Sequence, residues 1–582
     1  MSNPQTDQSN HKKLRLWPGL ALLVVQLIAW FLVPLFFPKL AIFGVFAGII
    51  CAVLIALWWL FFSRAPWVER IAAILLMVLA VIVTKRIVHA SIAGGMMGMM
   101  LPVFSIPVLS LALVASLALT RNFSATVRRI AIVAAILIAC GLFTLLRTGG
   151  ITGDAKSDLH WRWSKTPEER MLALSANEPV APLPAAAIPA TEVQTESGWP
   201  GFRGARRDGV VRGVRIDTNW AQKPPVAIWR KPIGPGWSSF AVQNDLIFTQ
   251  EQRGENEVVS CYKLTTGQPV WRHQDPARFY ESNAGPGPRG TPTLSNGRVY
   301  TFGATGILNV LDARNGNVVW SRNAATDTNT KTPHWGFASS PVVINDVVIV
   351  AASGVLAAYD IASGKLRWSG PDGGRGGYSS PHLLTINGVP QVLLVNSQGV
   401  SSLSPNDGAL LWKYAWEGDS IVQPAITTDG DVLLGSGSGL GSQVGVVRLA
   451  VSQESGNWTS KERWKSTGLM PYFNDFVVHK GNAFGFDGDS LACIDLNTGE
   501  SKWSGGNYGH GQMVLLSDQD LMLVLSEAGE VALVKAVADQ YSEIGRFKAI
   551  NGKTWNHPVL VGDTLLVRNG EEMAAFKLNL AN

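Results

Sequence analysis

A nine-residue phrase that recurs through the C-terminal two-thirds of this 582-residue chain constrains the fold more than any other feature of the sequence. Its core is Gly-x-x-x-Trp, usually preceded by Asp-x-x-(Thr/Ser/Asn), and it ends at Trp271, Trp320, Trp368, Trp412 and Trp503. Its glycines are spaced 49, 48, 44 and 91 residues apart, and the last interval corresponds to two periods. A period of roughly 40–50 residues built from short β runs is typical of propeller blades.

Each phrase lies between two β runs, as Asp360–Gly364 does between Leu356–Tyr359 and the run that ends at Trp368. The phrase predicts a tight hairpin in which the glycine adopts a positive φ and Asp or Asn hydrogen-bonds the local backbone. We expect the tryptophan to pack between neighbouring blades, where its indole N–H needs one acceptor.

A second marker, a polar residue followed by Pro or a substitute and then an apolar run, gives the number of repeats. Its first residues are Ser239, Thr291, Ser340, Ser380, Gln423, Asn474, Gly511 and His557. The eighth repeat stops at Leu578–Leu580 after three strands, and Val226–Lys231 offers the missing fourth strand from the other end of the domain. Such pairing would close the ring and remove an exposed edge. The sequence therefore predicts an all-β eight-bladed propeller, with seven blades as the alternative.

The Asp-x-x-(Thr/Ser)-Gly-x-x-x-Trp phrase resembles the tryptophan-docking repeat of pyrroloquinoline quinone (PQQ) propellers. The segment Gly198–Gly209, Gly-Trp-Pro-Gly-Phe-Arg-Gly-Ala-Arg-Arg-Asp-Gly, resembles the opening of many bacterial PQQ-like repeat proteins. The resemblance covers about residues 198–580. That superfamily includes quinoprotein alcohol and glucose dehydrogenases as well as a non-enzymatic propeller of the outer-membrane barrel assembly machinery. The resemblance therefore implies a fold and leaves the activity open.

The first 150 residues have the composition of membrane-spanning helices. The predicted spans are Trp17–Phe37, Leu40–Ser63, Ile71–Thr84, about 20 residues within Ile87–Thr120, and Ile130–Leu146 with its flanks. Ile71–Thr84 has 14 residues and is short for a span, although Lys85 and Arg86 could extend it by reaching the interface. Cytoplasmic loops of membrane proteins usually carry more Lys and Arg than the loops on the other side. This rule does not distinguish four spans from five, because either number places eight Lys and Arg on the cytoplasmic side and four on the opposite side.

We favour five spans, which place the propeller in the periplasm and the helices in the bacterial inner membrane. The resemblance supports this arrangement, because membrane-bound quinoprotein glucose dehydrogenase has a similar plan of five helices followed by a propeller. The predicted domains are a helical membrane domain over residues 1–150, a short helix and Pro/Ala-rich tether over 151–197, and the propeller over 198–582. Within the second of these, Thr166-Pro-Glu-Glu169 predicts a capped helix that runs to about Ser175.

Charge and cysteine content exclude several classes of function. Residues 1–150 carry twelve Lys and Arg against two acidic residues, so the net charge of +6 comes from the flanks of the predicted spans and indicates no nucleic-acid partner. Cys51 and Cys140 lie in predicted spans, and Cys261 and Cys493 fall three blades apart, too far for a disulfide. The sequence has no haem, zinc-pair, Walker A or dinucleotide motif. It also lacks the vicinal Cys-Cys pair of the PQQ alcohol dehydrogenases.

The best candidate site comes from the symmetry of the repeats. Residues at the starts of the innermost strands converge on the axis of a propeller, where ligands usually bind. Loops next to these starts contribute further polar and aromatic side chains: Glu281, Arg289, His334, Trp335, Tyr378, Asp475, His510 and Asn556.

The resemblance to quinoproteins suggests roles for five of these residues. Oxygen ligands would hold Ca²⁺ at Glu281, Asn474 and Asp475. Arg289 would polarise a PQQ carbonyl, Asp475 would take the substrate proton, and Trp335 would stack on the cofactor. The other interpretation is that these side chains are the polar lining of a water-filled channel.

Two functions follow from the sequence. The first is a membrane-anchored binding or scaffold propeller that presents its loops to an envelope protein. The second is a membrane-bound quinoprotein dehydrogenase that oxidises an alcohol or sugar with PQQ and Ca²⁺ and reduces membrane quinone. We favour the first, because the chain lacks the long insertions and the vicinal cysteines of the dehydrogenases. The sequence identifies no partner, substrate or oligomeric state.

Overall fold

The computed structural model describes residues 14–37, 40–153, 156–175, 198–370, 376–418, 420–437 and 444–581. These residues form two compact units. The helical unit comprises Met1–Ile151, Ala155–Ser164 and Glu281–Ala284, and the propeller unit comprises Thr152–Asp154, Lys165–Tyr280 and Gly285–Asn582.

The helical unit contains five helices that are long and apolar enough to cross a membrane. They are Trp17–Phe36, Ala41–Phe62, Trp67–Ile87, Met100–Leu119 and Ala125–Thr144. The count agrees with the five predicted spans. The third helix has 21 residues and exceeds the predicted 14, because the charged residues at both of its ends continue the helix. A short helix, Ala90–Gly94, and a 3₁₀ turn, Gly95–Gly98, lie between the third and fourth long helices.

A buried ion pair accommodates the acidic residue of the third helix. The Glu69 carboxylate lies 2.8 Å from Arg129 Nε and 3.2 Å from Arg128 Nη2, and its side chain is only 4% exposed. Both arginines belong to the first turns of the fifth long helix. Because a buried carboxylate is costly without a partner, these contacts join two helices at the same end of the helical unit.

Two short elements follow the long helices. Leu146–Ile151 pairs antiparallel with Ser157–Trp161 in a hairpin that the sequence did not predict. The helix Pro167–Ser175 is confirmed, and so is its capping box, in which Glu169 N–H donates to Thr166 Oγ1 and Thr166 N–H donates to Glu169 Oε2. The predicted tether Ala176–Ser197 lies outside the described residues.

The propeller unit has eight blades, which confirms the preferred count. Blade 1 is Ala241–Gln243, Leu246–Arg253, Asn256–Lys263 and Pro269–Asp275; blade 2 is Thr293–Ser295, Arg298–Phe302, Ile307–Asp312 and Val318–Asn323; blade 3 is Val342–Ile344, Val347–Ala352, Val355–Asp360 and Leu366–Gly370; blade 4 is His382–Ile386, Val389–Asn396, Gly399–Leu403 and Leu410–Ala415. Blade 5 is Ala425–Ile426, Val432–Ser436, Gly445–Glu454 and Asn457–Ser466; blade 6 is Val477–His479, Asn482–Asp487, Ser490–Asp495 and Ser501–Gly505; blade 7 is Gln512–Leu516, Leu521–Leu525, Glu530–Lys535 and Glu543–Lys548; blade 8 is Val559–Val561, Thr564–Arg568, Glu572–Lys577 and Val226–Pro232.

Short elements connect or extend the blades. Tyr280–Glu281 pairs with Gly285–Pro286, Ala324–Asp327 forms one helical turn after blade 2, and Ser517–Gln519 forms a 3₁₀ turn in blade 7. Val210–Val211 adds a fifth, parallel strand to blade 7.

The ring closes as the sequence predicts, because strand Val226–Pro232 pairs antiparallel with Glu572–Lys577. In the register of this pair, Trp229 faces Ala575 and Lys231 faces Met573. Two strands from opposite ends of the domain therefore complete one blade, and neither leaves an open edge at the seam.

Tryptophans at equivalent positions dock six of the eight blades on the next blade. The indole Nε1–H donates to a carbonyl in the hairpin of the following blade: Trp229 to Leu264 (2.8 Å), Trp271 to Ala313 (3.0 Å), Trp320 to Ile361 (3.0 Å), Trp368 to Pro405 (3.1 Å), Trp464 to Leu496 (3.0 Å) and Trp503 to Val537 (2.8 Å). Trp412 differs, because its indole donates to Gln391 Oε1 within its own blade (2.7 Å). The expected docking role and indole acceptor are thus confirmed.

Candidate functional site

Hydrogen bonds link the starts of the innermost strands into a ring around the propeller axis. Backbone N–H groups donate to side chains of the next blade: Ser239 to Thr291 Oγ1 (3.0 Å), Thr291 to Ser340 Oγ (2.9 Å), Ser340 to Ser380 Oγ (2.9 Å), Gln423 to Asp475 Oδ1 (2.9 Å) and Asp475 to Gln512 Oε1 (3.4 Å). With its side-chain amide turned to match these neighbours, Gln423 accepts from Ser380 N–H (3.1 Å) and donates to Ser380 O (2.9 Å). Ser239 Oγ donates to His557 O. We call this set the axial ring.

Asp475 is the most connected member of the axial ring. Besides the Gln423 N–H, its carboxylate contacts His557 Nε2 at 3.1 Å and Arg203 Nη1 at 3.5 Å, and the residue is 6% exposed. Burial alone would raise the pKa of Asp475, but the Arg203 charge and the hydrogen bond from His557 hold that pKa below its ordinary value. Asp475 is therefore an ionised carboxylate inside the protein.

Arg203 belongs to a segment that closes one end of the axis, which we call the axial plug (Trp199–Val211). Trp199 pairs with Val242 of blade 1, and Pro200 O accepts from Leu294 N–H of blade 2. The last two residues of the plug pair with blade 7, which is three blades from blade 2 around the eight-blade ring. The segment that resembles the opening of PQQ-like proteins thus crosses the propeller from one side to the other.

Two arginines of the axial plug are buried against the inner strands. Arg207 donates from its two Nη atoms to Pro341 O (2.8 Å) and Ser340 O (3.1 Å) in blade 3. Arg203 donates to Phe476 O (2.6 Å) in blade 6. Both arginines adopt a positive φ, which L residues rarely do, so tertiary contacts hold this backbone. Neither arginine was predicted as a site residue.

The five predicted cofactor residues fall into three places. Asn474 and Asp475 adjoin in the axial ring, and the Asn474 amide donates to Gly511 O at 2.9 Å. Arg289 and Trp335 meet in a second place, where Arg289 Nε donates to Trp335 O at 3.0 Å. Glu281 belongs to the helical unit. Its carboxylate accepts from the backbone N–H groups of Asn283 and Ala284.

These places do not fit a bound calcium ion. Among the described residues, no group of three or more His, Cys, Asp or Glu side chains could hold a metal. The Asp475 carboxylate already faces Arg203 and His557, and a divalent cation there would be repelled by two buried guanidinium groups. Calcium ligation by Glu281, Asn474 and Asp475 remains a prediction, and we derive no step that uses it.

The Arg289 guanidinium is also committed to the protein. Besides Trp335 O, it donates to the carbonyls of Gly285 (2.9 Å) and Gly287, and it lies 4.6 Å from the centre of the Phe279 ring. The Trp335 ring packs against Tyr378, with 5.0 Å between ring centres. A role for Arg289 in polarising a quinone, or for Trp335 in stacking on one, therefore requires these contacts to rearrange.

Aromatic side chains cluster in the loops just before the innermost strands of blades 1, 6, 7 and 8. Trp237 and Phe473 lie 4.8 and 5.0 Å from the Trp555 ring, and Phe473 stacks on His510 at 5.5 Å. Lys553 Nζ lies 4.3 Å from the Trp555 ring centre. All five side chains are half-buried. We call them the aromatic mouth; of its members, only His510 was considered from the sequence.

A buried carboxylate supports the aromatic mouth. Glu527 accepts from Trp555 Nε1 (2.7 Å), from His510 N–H (3.2 Å) and from Gly153 N–H (2.7 Å). Burial opposes ionisation, but these donors and the His510 ring lower the pKa of Glu527 to about 2. The Glu527 carboxylate is therefore ionised, and its hydrogen bond from the indole N–H fixes the orientation of the Trp555 ring.

The depressed pKa of Asp475 gives a prediction about pH. Asp475→Asn is expected to destabilise the protein at pH 7 by about 3–5 kcal/mol, because Arg203 loses its charged partner. A depressed pKa stabilises the fold above the unfolded value of about 3.9, so the difference from wild type should shrink as the pH falls below about 4. Thermal unfolding at pH 7 and near pH 3.5 measures both quantities.

Asp346→Asn is the matched control, because Asp346 pairs with Arg367 at the surface and its side chain is 66% exposed. An exposed ion pair contributes about 0–1 kcal/mol. Equal losses of stability in the two variants would contradict the role given to Asp475.

Comparisons with known proteins agree with the architecture. A family described as outer membrane protein assembly factor BamB matches residues 217–390 and 255–505. The chain is 23% identical over 373 residues to outer membrane protein assembly factor BamB of Yersinia pestis, which is 60% of this chain and 87% of that protein.

Solved structures of a BamB propeller and of a quinoprotein dehydrogenase also align with the chain. BamB from Moraxella catarrhalis aligns with a TM-score of 0.45 and 17% identity, over 61% of this chain and 97% of its own. Quinohemoprotein alcohol dehydrogenase from Comamonas testosteroni aligns with a TM-score of 0.48 and 12% identity, over 71% and 84%. The chain thus forms an eight-bladed β-propeller with PQQ-like repeats that match the BamB family model, preceded by five apolar helices. It is similar in sequence to the BamB propellers.

Proposed function

We propose that this protein is a membrane-anchored propeller that binds a protein partner in the bacterial envelope through its aromatic mouth. One observation carries the proposal: the side chains at the predicted cofactor positions bond to the protein itself, whereas the aromatic mouth stays half-exposed. Tryptophan and other aromatic side chains are enriched among the residues that dominate protein–protein binding energy.

The composition of the mouth supports a protein ligand. Trp237 and Trp555 present two large planar surfaces, and Lys553 adds a cation above them. The hydrogen bond from Trp555 to Glu527 fixes one ring before any partner arrives, so little side-chain entropy is lost on binding. The relative from Yersinia pestis is called an outer membrane protein assembly factor, and this name is consistent with a role in handling envelope proteins.

The proposed location is the inner membrane, with the propeller in the periplasm. The five apolar helices are long enough to span a bilayer. An odd number of spans puts the two ends of the helical domain on opposite sides, and Arg64, Arg70, Arg121, Arg128 and Arg129 lie on the side of the chain's start. Because Lys and Arg are enriched on the cytoplasmic side of membrane proteins, we expect the start of the chain to lie in the cytoplasm.

Site-specific photo-crosslinking in cells tests the proposal. A photoreactive phenylalanine analogue at Trp237 is expected to give a discrete covalent adduct with one second protein. Trp555→Ala in the same chain should reduce that adduct at least about tenfold, as expected for loss of a binding hot spot. The matched control is the same analogue at Leu410, an exposed position on the outer strand of blade 4 that is 49% exposed.

Two results would overturn the proposal. Equal adducts at Trp237 and Leu410 would mean that the mouth has no preferred partner. Saturable binding of PQQ with Ca²⁺, together with dye-linked alcohol or sugar oxidation that Arg289→Ala abolishes, would establish the quinoprotein dehydrogenase instead.

A further inference from the structure

The axial plug carries a charge imbalance into the interior of the propeller. Arg203 and Arg207 are 3% and 7% exposed, and Asp475 is the one carboxylate that pairs with either of them among the described residues. The nearby His382 is 2% exposed, and burial, together with the two arginines, lowers its pKa to about 3, so it is neutral at pH 7. One buried positive charge therefore lacks a counter-charge, a situation that costs several kcal/mol.

The same region contains nitrogen atoms without partners. Arg203 Nε, Arg207 Nε and His382 Nδ1 make no hydrogen bond within the part of the chain that the structure describes. Buried polar atoms in native proteins are nearly always satisfied by protein groups, water or an ion. Three such atoms on neighbouring charged or polar side chains indicate that something else occupies the axis.

The axial ring adds three hydroxyl groups to this region. Thr291, Ser340 and Ser380 are each 2% exposed, and each hydroxyl oxygen accepts an N–H from the preceding blade. A hydroxyl group that accepts one bond still has its own proton to donate. Among the described residues, none of these three hydroxyl groups donates to an acceptor. Arg207 donates to the backbone carbonyl of Ser340, so a plug arginine reaches the residue that carries one of these hydroxyl groups.

We propose that the propeller axis holds a small inorganic anion of the chloride class, between the plug arginines and the hydroxyl groups of the axial ring. Guanidinium N–H and hydroxyl O–H groups are donors, and an anion accepts from them while cancelling the uncompensated charge. A water molecule would satisfy donors but would leave the charge, and a cation would add to it.

An anion at this position would be part of the folded structure. It would connect blades 2, 3 and 4, which supply the hydroxyl groups, to the plug that crosses the ring. None of the proposed donors belongs to the aromatic mouth, so the anion site and the partner-binding site rest on different side chains.

Thermal unfolding of the full chain in detergent tests the proposal. Protein exchanged into sodium gluconate is titrated with sodium chloride at constant ionic strength. We expect a saturable rise in Tm of about 2–4 °C, since a ligand that binds only the folded state stabilises it. Arg207→Gln should abolish the chloride dependence, and Ser380→Ala, a smaller change that keeps the plug intact, should weaken it severalfold.

Arg568→Gln is the matched control. Arg568 is also fully buried, but its guanidinium donates to Gly234 O, Gln250 O and Thr249 Oγ1, so it needs no anion. This variant should lower Tm and keep the chloride dependence. Bromide in place of chloride should give an anomalous scattering peak beside Arg207 in crystals.

The proposal fails if gluconate and chloride give the same Tm, or if sulfate at equal ionic strength stabilises as much as chloride. It also fails if Arg207→Gln and Ser380→Ala keep the same chloride dependence as the wild type and Arg568→Gln. A crystal with only water at the axis and no bromide peak would overturn it as well.

Discussion

Trp229→Ala is expected to open the propeller at its seam. Trp229 is the one buried side chain of the closing strand Val226–Pro232, and its indole docks on Leu264 and Gly267 of blade 1. Replacing a buried tryptophan by alanine costs about 3–5 kcal/mol. Without it, only backbone hydrogen bonds and the partly exposed Arg230–Glu572 ion pair hold the strand to Glu572–Lys577, so the amide protons of that partner strand should exchange at least about tenfold faster.

Trp320→Ala is the matched control. Trp320 is 9% exposed against 8% for Trp229, and it docks on Ile361 and Gly364 with the same geometry. Its strand, however, is joined to its partner Ile307–Asp312 by a short hairpin, whereas no turn connects Val226–Pro232 to Glu572–Lys577. A detached seam strand thus gains more chain entropy than a tethered one. Both variants should lose global stability, but faster exchange across 572–577 should follow from Trp229→Ala alone. Equal exchange in the two variants would contradict the closing role of this strand.

Gly364→Ala is expected to destabilise the protein by about 2–5 kcal/mol. Gly364 has a φ of +68°, and an added Cβ would lie 2.7 Å from the Trp320 ring of the preceding blade. The left-handed backbone alone costs a non-glycine residue about 1–2 kcal/mol, and forcing the ring away adds about 1–3 kcal/mol. Thermal unfolding measures the sum.

Gly388→Ala separates the two contributions. Gly388 has a φ of +78° in a hairpin of blade 4, and an added Cβ would meet nothing within 4 Å. Only the backbone cost should appear in that variant. If the two substitutions lower Tm equally, the tryptophan contact contributes nothing and the glycine of the phrase serves the turn alone.

The phrase therefore encodes an interface as well as a turn. The same close contact recurs where Gly267 faces Trp229, Gly316 faces Trp271, Gly408 faces Trp368 and Gly499 faces Trp464. A residue with no side chain lets the indole of one blade lie flat on the hairpin of the next, and this explains why glycine and tryptophan recur together.

The sequence alone determined the eight blades, the ring closure and the five apolar helices. These features depend on local rules: a repeated turn, alternating strands, and apolar runs of about 20 residues. The repeats also identified the positions that form the axial ring, because symmetry places equivalent residues around one axis. Sequence patterns could reach this far because each repeat contacts mainly its neighbours.

Only the tertiary structure decided what surrounds the axis. Arg203 and Arg207 stand 38 and 34 residues before Ala241, where the first inner strand begins. They lie in a segment without strand periodicity, and nothing in its sequence indicates that it crosses the ring. The partners of Asp475 come from the plug and from blades 5 and 8, so their convergence depends on ring closure. Arg203, Arg207 and Asp475 are distant in sequence but are buried together at the axis. The expected cofactor position therefore carries buried positive charge, which favours the small anion proposed above. The repeats determine the propeller architecture, whereas long-range packing determines which charged side chains lie at its axis.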